Sequence, residues 1–255
     1  MKLSRRRLAF GFYFAMAVVW CGAASAAPAP KDKEKQHEGK EIDSGSFGVF
    51  QGGHRVGTET FSIYETSYGS IIESEFKTEN TTPVSVQTSV LQLNAKGEIR
   101  HYDWKEVSPE KAESVVVPND EFLNQKWHTE LETKEHEQPY LLPPSTNVLD
   151  DYFFIHRELL AWKYLQGDCK VDKGMMQCTP KQRAQFGTLN PRQHTSAPLA
   201  AEFIGREVVV LKSGPQDLLK LELKNDSGTW QLWLNDKFML MRVNVLGENT
   251  IVERD

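Results

Sequence analysis

From Asp43 onward, apolar and polar side chains alternate with a period of two, and turn residues interrupt the pattern at short intervals. Alternate residues of a β-strand point to opposite faces, so the pattern predicts strands that are buried on one side. Gly52-Gly53 separates the first two runs, which is typical of a tight hairpin turn. Short turns between neighbouring runs predict an antiparallel meander. Its predicted strands are 46–51, 54–65, 71–79, 85–94, 98–107, 113–117, 121–132, 206–212, 218–224, 229–235, 238–245 and 250–254.

The segment 147–165 departs from this alternation and predicts a helix. Large apolar residues recur there at steps of four and three, which forms an amphipathic stripe. The prolines at 143–144 prevent an earlier start, and one of the polar residues 145–147 is expected to cap the helix. Asp150 and Asp151 would complement the helix dipole in the first turn. The stripe consists of Val148, Tyr152, Ile155, Leu159 and Trp162.

The apolar surface of this segment extends well beyond one stripe, because further apolar residues lie in it, among them Leu149, Phe153, Phe154 and Leu160. Such a helix must be covered on most of its sides. The predicted fold is therefore mainly β, with a curved antiparallel sheet or open half-barrel and one central helix packed on it. No shift in composition marks a domain boundary, apart from the loop 134–146.

The first 26 residues have the pattern of an export signal. Four basic side chains lie near the start, Leu8 to Trp20 form an apolar run, and Ala24-Ser25-Ala26 supplies small residues for cleavage after Ala26. The general secretory route is favoured over the twin-arginine route, which Ser4 to Leu8 approximates. An uncleaved anchor is the alternative, since the apolar run is nearly long enough to span a bilayer. Residues 27–42 are expected to form a flexible charged linker, and 43–255 a single β-rich domain.

Cleavage changes the charge of the chain. It removes four positive and no negative side chains, so the net charge falls from −5 to −9 over the remaining 229 residues. A chain this acidic is not expected to bind nucleic acid, and its contact with a membrane should be peripheral at most. The predicted location is the periplasm or the extracellular space.

Two cysteines remain after cleavage, Cys169 and Cys178. They flank a natural turn at 172–174, and an even pair in an oxidising compartment predicts a disulfide between them. The alternatives are two free thiols or half of a metal site. A metal needs further ligands at a suitable spacing, and His156 is the nearest histidine. No metal site is predicted.

Three stretches, 45–63, 149–161 and 232–245, resemble a group of uncharacterised exported bacterial β-rich proteins of the half-barrel type. That group is similar in outline to the periplasmic lipoprotein carriers, in which helices close an open β half-barrel. The resemblance implies the architecture alone. The cysteine hairpin and the segment 179–198 have no counterpart in the carrier pattern, so carrier activity is not transferred residue by residue.

The sequence contains no Gly-x-Ser-x-Gly elbow, P-loop lysine or His-Glu-x-x-His helix, so it predicts neither catalytic residues nor a cofactor. His156 with Asp150 or Asp151 is the remaining arrangement for a hydrolase. However, Asp151 and His156 lie five residues apart, or about 140° around a helix. Dipole compensation by the acids, a buried histidine and a surface Arg157 explain the same residues. The cluster His128, Glu130, Glu132 and His136 is more typical of a solvated edge than of a metal site.

Both faces of the last hairpin are partly apolar, which exceeds what a sheet with one solvated face requires. Leu234, Phe238 and Leu240 are assigned to one face and Met239, Met241, Val243 and Val245 to the other. The favoured hypothesis is an exported envelope protein that binds an apolar small molecule or lipid between sheet and helix, without catalysis. The alternative is a structural or interaction protein with a filled core, and a hydrolase is less favoured. The candidate ligand-binding residues are Tyr152, Phe153, His156, Trp230, Leu232 and Phe238.

Overall fold

The strands predicted by the alternation form one large, curved, open antiparallel sheet of 15 strands. The computed structural model describes residues 39–132, 134–172, 175–179 and 181–255. The predicted signal peptide and most of the predicted linker lie outside these residues. The strands are β1 (Lys40–Gln51), β2 (His54–Thr66), β3 (Gly69–Thr78), β4 (Val86–Asn94), β5 (Ile99–Ser108), β6 (Ala112–Asn119), β7 (Phe122–Thr129), β8 (His136–Tyr140), β9 (Asn147–Val148), β10 (Cys169–Asp172), β11 (Met175–Cys178), β12 (Arg183–Asn190), β13 (Thr195–Leu211), β14 (Gly214–Asn225), β15 (Gly228–Leu234), β16 (Leu240–Leu246) and β17 (Thr250–Arg254). The helix α1 spans Ile155–Asp168.

The first and last strands lie side by side in the middle of the sheet. β2 to β8 follow β1 outward in chain order, while β17 back to β12 extend in the other direction and end at β9. The β1–β17 pair is antiparallel, with Val49 opposite Val252. β8 and β9 are the two edges, so the sheet stays open between them. The mainly β fold class with an open curved sheet is therefore confirmed.

Side chains instead of strand pairing connect the two ends of the sheet. The Gln125 amide on β7 donates to the carbonyl of Pro191, which follows β12, at 2.5 Å. The ring of Trp127 on β7 packs against His194 with centroids 4.0 Å apart, and against His136 on β8 at 5.3 Å. These contacts hold the turn between β12 and β13 close to β7 without a hydrogen-bonded ladder.

The helix begins later than the sequence predicts. Asn147 and Val148 form β9 and pair in parallel with β12, because their backbone groups are used by Thr188 and Leu189 of that strand. Residues 149–154 form the approach to α1, whose first helical residue is Ile155. The predicted cap at 145–147 and the predicted start at Asn147 are therefore wrong. The acid in the first turn is Glu158, in place of Asp150 and Asp151.

The predicted loop 134–146 and the segment 179–198, for which no strand was predicted, both contain strands. β8 lies within 134–146, and β12 lies within 179–198, where it pairs antiparallel with the first half of β13. β13 accordingly begins at Thr195, eleven residues before the predicted strand 206–212. The prolines and small residues of these segments conceal the alternation, and Pro198 sits in the ladder opposite Gly187.

A β-bulge reverses part of the predicted last hairpin. The register between β15 and β16 shifts after Trp233, so that Leu234 lies opposite Leu240 and Leu232 opposite Val243. Val243 and Val245 therefore join Leu240 on the buried face, and their predicted outward direction is wrong. Part of the outer face is apolar as well, in a small cluster: Val209, Leu211, Leu218, Trp233 and Met241.

The predicted disulfide is confirmed. β10 and β11 form a separate two-stranded hairpin in which Cys169 lies opposite Cys178, with their Cα atoms 4.3 Å apart and the two sulfurs bonded. Part of the predicted turn at 172–174 lies outside the described residues. The bridged hairpin directly follows α1, and both cysteines pack against the main core. None of the helices in the described part of the chain is long and apolar enough to cross a membrane.

Replacing both cysteines with serine is expected to lower the free energy of unfolding by roughly 2–3 kcal/mol, because the bridge restricts a short loop of the unfolded chain. Urea unfolding of the oxidised protein and of the C169S/C178S variant measures this difference. A native thiol count checks the bond itself. Alkylation of both cysteines without reductant would contradict the disulfide.

Candidate functional site: a cavity at the start of the helix

Two cavities border α1. The larger measures about 820 Å³ and lies where the chain enters the helix, against the inner face of the sheet. The smaller measures about 540 Å³ and lies along the later turns. The apolar wall of the larger cavity comes from β1, β2, β3, β15 and β16 together with the helix approach: Val49, Val56, Phe76, Leu149, Phe154, Trp230 and Val245.

Phe76 fits into this wall because the neighbouring strand carries a glycine. A Cβ atom on Gly57 would lie 2.5 Å from the Phe76 ring, so a larger residue would push the ring away. The Phe76 ring contacts Tyr152 with centroids 5.1 Å apart. Tyr152 is 38% exposed and lies at the edge of the cavity, whereas Phe76 is buried. The two rings therefore form one side of its opening.

Arg157 extends from α1 into the larger cavity and is 2% exposed. Its guanidinium lies 4.7 Å from the ring centroid of Phe154 and 5.2 Å from that of Trp230. Nη1 donates to the carbonyls of Asp150 at 3.0 Å and Phe153 at 3.4 Å. Nε is buried and has no hydrogen-bond partner in the part of the chain that the structure describes. Burial lowers the pKa of Arg157, because it penalises the charged form.

A second arginine lies in the same wall, between two aromatic rings. The Arg192 guanidinium is 4.4 Å from the ring centroids of both Trp104 and Tyr152. Its Nη2 donates to the Gln87 side chain and lies 3.5 Å from the carboxylate of Asp150. This arginine therefore already has an anionic partner. It also links β5 and the helix approach to the turn after β12.

The start of α1 is capped by a side chain from β2. Both carboxylate oxygens of Glu59 accept backbone hydrogen bonds, from Phe154 at 2.7 Å and from Ile155 at 3.2 Å. The Ser74 hydroxyl donates to the same carboxylate at 2.8 Å. Glu59 is completely buried. Its pKa is raised to about 7, because burial outweighs the opposing hydrogen bonds and the charge of Arg157.

A further buried carboxyl on α1 ties the helix to the middle of the sheet. Glu158 accepts a hydrogen bond from the backbone of Leu240 at 2.9 Å and also lies beside Asp43. Arg254 donates to both carboxylate oxygens of Asp43, and its Nη1 lies 3.9 Å from Glu158. Burial and the charge of Asp43 raise the pKa of Glu158 well above its usual value. The Glu158 side chain therefore ties α1 to β1, β16 and β17.

His156 points to the other side of the helix, where it lines the smaller cavity. It is 1% exposed, and neither ring nitrogen has a hydrogen-bond partner among the described residues. Its neighbours are the rings of Tyr102 and Phe153, with centroids 5.7 and 5.8 Å away. Burial, and to a lesser degree the charge of Arg157, lowers its pKa to about 3.

The geometry that a hydrolase would need is not formed around His156 in the described part of the chain. The Asp150 carboxylate accepts from the Tyr102 hydroxyl and the Tyr152 backbone, while Asp151 accepts from Asn190 and Gln193. Neither acid reaches the imidazole, whose nitrogens have no partner.

The acid–histidine cluster at 128–136 forms two separate pairs. Glu132 lies 2.8 Å from His136, while His128 lies 3.5 Å from Glu113. Within the described ranges, no group of three His, Cys, Asp or Glu side chains is placed to hold a metal ion.

The structure brings together only some of the predicted ligand-binding residues. Tyr152 and Trp230 line the larger cavity, and His156 lines the smaller one. Phe153 and Leu232 are fully buried in the core and line neither cavity. Phe238 is partly buried, and its carbonyl accepts a hydrogen bond from the Trp162 indole at 2.6 Å.

Sequence reasoning missed two residues of this site. It placed Arg157 on the surface, which is wrong, because α1 is covered on that side as well. Glu59 was not singled out, although it lies at an inward position of its strand, between Gly57 and Phe61. An acid in the apolar register of a strand was the signal that could have identified the helix cap.

A curved, open antiparallel sheet with one helix packed in it and a cavity at the start of that helix places the chain among mainly β, beta-barrel-like folds. A similar solved structure is that of a beta-barrel-like protein of domain of unknown function DUF1849 from Brucella abortus. It has 10% sequence identity and a TM-score of 0.51, with 83% of this chain and 94% of that chain covered. This likeness shows a common fold.

A second solved structure, a DUF1089 family protein from Pseudomonas aeruginosa, matches with 7% identity and a TM-score of 0.42, over 74% of this chain and 90% of that one. No protein-family model matches the chain, and no curated protein matches its sequence.

Proposed function

We propose that this chain is an exported protein of the bacterial envelope that binds an apolar or lipid-like ligand, without catalysis, in the larger cavity between the sheet and the start of α1. The observation that carries the proposal is the cavity itself, about 820 Å³, in which Phe76, Phe154 and Trp230 form an apolar part while Asn190, Gln193 and Asn225 belong to a polar part. Ligand pockets typically measure about 300–1,000 Å³ and combine apolar walls with polar groups that orient the ligand.

The alternative, a structural protein with a filled core, fits this cavity less well. Protein interiors are close-packed, and a domain has few voids larger than a water molecule. The rings of Phe47 and Phe61, by contrast, stack with their centroids 4.8 Å apart. A large space beside the helix is therefore better explained by a ligand than by imperfect packing.

Export is part of the proposal. The sequence pattern of residues 1–26 supports cleavage after Ala26, and the Cys169–Cys178 disulfide is consistent with an oxidising compartment. The sequence resemblance to exported proteins of the half-barrel type concerns the architecture alone, and it assigns neither a cargo nor a role to any residue.

Native mass spectrometry of protein purified gently from the envelope fraction tests both parts. We expect a chain that lacks residues 1–26, carries one disulfide and retains a bound lipid-like molecule. A clean ligand-free mass, together with no uptake of added lipid or detergent, would rule out the binding function. An intact N-terminus on protein recovered from the cytoplasm would rule out export.

A substitution that fills the cavity locates the binding site. Ala197 on β13 lines the larger cavity, so A197F should exclude the ligand and lose at least about 90% of the bound molecule, by occupying the space it needs. Ala200 lies on the opposite face of the same strand, and A200F is the matched control. Equal ligand content in the two variants would place the ligand elsewhere.

A further inference from the structure

We propose that the ligand is a single-chain amphiphile whose anionic headgroup pairs with Arg157 while its apolar chain lies along the apolar part of the larger cavity. This inference rests on the proposed function and deepens it, since it names the chemical class of the ligand. Arg157 is 2% exposed and extends into the cavity that we assign to the ligand.

The guanidinium has donors to spare. An arginine carries five N–H donors, and within the described residues only Nη1 of Arg157 is engaged, by two neutral backbone carbonyls. Nε is buried, again without a partner among those residues. In the described part of the chain, no carboxylate lies within 4.0 Å of any nitrogen of this side chain. A buried cation with neutral partners is costly unless an anion completes the site.

The acids around Arg157 already have other partners. Glu59 caps α1 and accepts from Ser74, Asp150 accepts from Tyr102 and faces Arg192, and Asp151 accepts from the side chains of Asn190 and Gln193. Glu248 also lines the cavity, but it is exposed to solvent at the opening. Among the described residues, none of these acids therefore forms an ion pair with Arg157, and its unpaired N–H groups are left for a ligand.

The surroundings of the guanidinium favour a headgroup with an attached chain over a free ion. The guanidinium lies close to the rings of Phe154 and Trp230, so this charged group is set in an apolar part of the wall. Leu149, Phe76 and Val245 continue that wall. Arginine pairs with carboxylate and phosphate through two parallel hydrogen bonds, which matches either headgroup.

Binding of matched probes to delipidated mature protein tests the inference. Hexadecanoate and hexadecan-1-ol share a chain and differ in charge. We expect the wild type to bind hexadecanoate roughly 10- to 100-fold more tightly, which is the range for one charge-assisted pair. In R157M this preference should fall to about twofold or less, with the affinity for the alcohol unchanged, because methionine keeps an apolar wall.

Further variants separate the headgroup role from packing. R242M removes an arginine that lies 5.8 Å from the ring of Trp233 on the outer face, and it should keep the full preference. R157K keeps the charge without the planar fork and should retain part of the preference. E248Q should leave the preference intact or strengthen it, since it removes negative charge at the opening. A purely structural Arg157 would lower stability in R157M without changing the preference.

The outcomes distinguish the inference from the function it rests on. Equal affinity for the two probes in the wild type, or a preference that survives in R157M, would overturn the anionic headgroup and leave apolar binding standing. Failure of both probes would overturn both. Inorganic phosphate binding as tightly as hexadecanoate would show a free-anion site in place of an amphiphile site. Comparison with hexadecyl phosphate then decides between a carboxylate and a phosphate headgroup.

Discussion

Replacing Glu59 with alanine (E59A) is expected to lower the free energy of unfolding by about 3 kcal/mol or more at pH 7. The substitution leaves the buried backbone N–H groups of Phe154 and Ile155 without their acceptor. The Ser74 hydroxyl keeps a second acceptor, the carbonyl of Thr60 at 3.2 Å. Each buried donor left unpaired costs roughly 1–3 kcal/mol, and the loss of a helix cap costs about 1 kcal/mol. Urea unfolding followed by circular dichroism measures the change.

Two variants show whether the loss comes from capping. Glutamine keeps one acceptor oxygen, so E59Q should lose about half as much stability as E59A. Glu65 lies on the same strand but is exposed, and E65A should change the free energy of unfolding by about 0.5 kcal/mol or less. An E59A protein within 1 kcal/mol of the wild type would contradict the capping role.

The capping contact also explains why the start of the helix that was predicted from the sequence is wrong. Residues 145–147 had the right chemistry for a local cap, but the acceptor lies on β2, 95 residues upstream of Phe154. Local patterns cannot detect a cap supplied from another strand. The Asn147–Val148 segment pairs with β12 instead. The sequence did not predict β12, because small residues and prolines mask the alternation there.

The sheet itself was predictable because its driving force is local. One-sided burial places apolar residues at every second position, and this alternation identified most strands of the meander within a few residues. The central pair β1–β17 was not predictable from the sequence. It joins the first and last strands through backbone hydrogen bonds, which do not depend on the identity of the side chains. The bulge between Trp233 and Leu234 was missed for the same reason: one extra residue reverses which side chains face inward.

The site was harder to predict than the fold. Tyr152 and Trp230 were recognised as large apolar side chains near a helix, and they do line one cavity. Phe153 and Leu232 have the same character but lie in the filled core. Whether an aromatic residue lines a space or fills one depends on the packing of distant strands. Arg157 was assigned to the surface because arginine is rarely fully buried.

Folding raises the pKa of Glu59 and lowers the pKa of His156, so the stability of this protein depends on pH. In the folded protein the Glu59 carboxyl has a pKa of about 7, whereas a glutamate in the unfolded chain has a pKa near 4.5. The folded carboxyl therefore keeps its proton to a higher pH. Between these values the folded state binds more protons than the unfolded state, so stability falls as pH rises. The difference between these two pKa values corresponds to a decrease of about 3 kcal/mol in the free energy of unfolding as the pH rises between them. The E59Q variant should not show this decrease.

Replacing His156 with leucine (H156L) should make the protein more resistant to acid. The folded imidazole has a pKa of about 3, against 6.5 in the unfolded chain, so its contribution to stability is complete above pH 6.5 and is lost as pH falls towards 3. Between pH 7 and pH 4 the loss is about 3 kcal/mol. Leucine has no proton to gain, and its fit beside Tyr102 should cost about 1.5 kcal/mol or less at pH 7.

The measurement for H156L is the difference in free energy of unfolding between variant and wild type at each pH, because the opposing proton of Glu59 hides part of the slope in the wild type alone. That difference should rise in favour of H156L by about 3 kcal/mol from pH 7 to pH 4. His54 is exposed on β2, so H54L is the matched control and should follow the wild type at every pH. If the curves for H156L and the wild type run parallel, the imidazole gains its proton in the folded protein, and the smaller cavity beside it must admit enough water to solvate the charge.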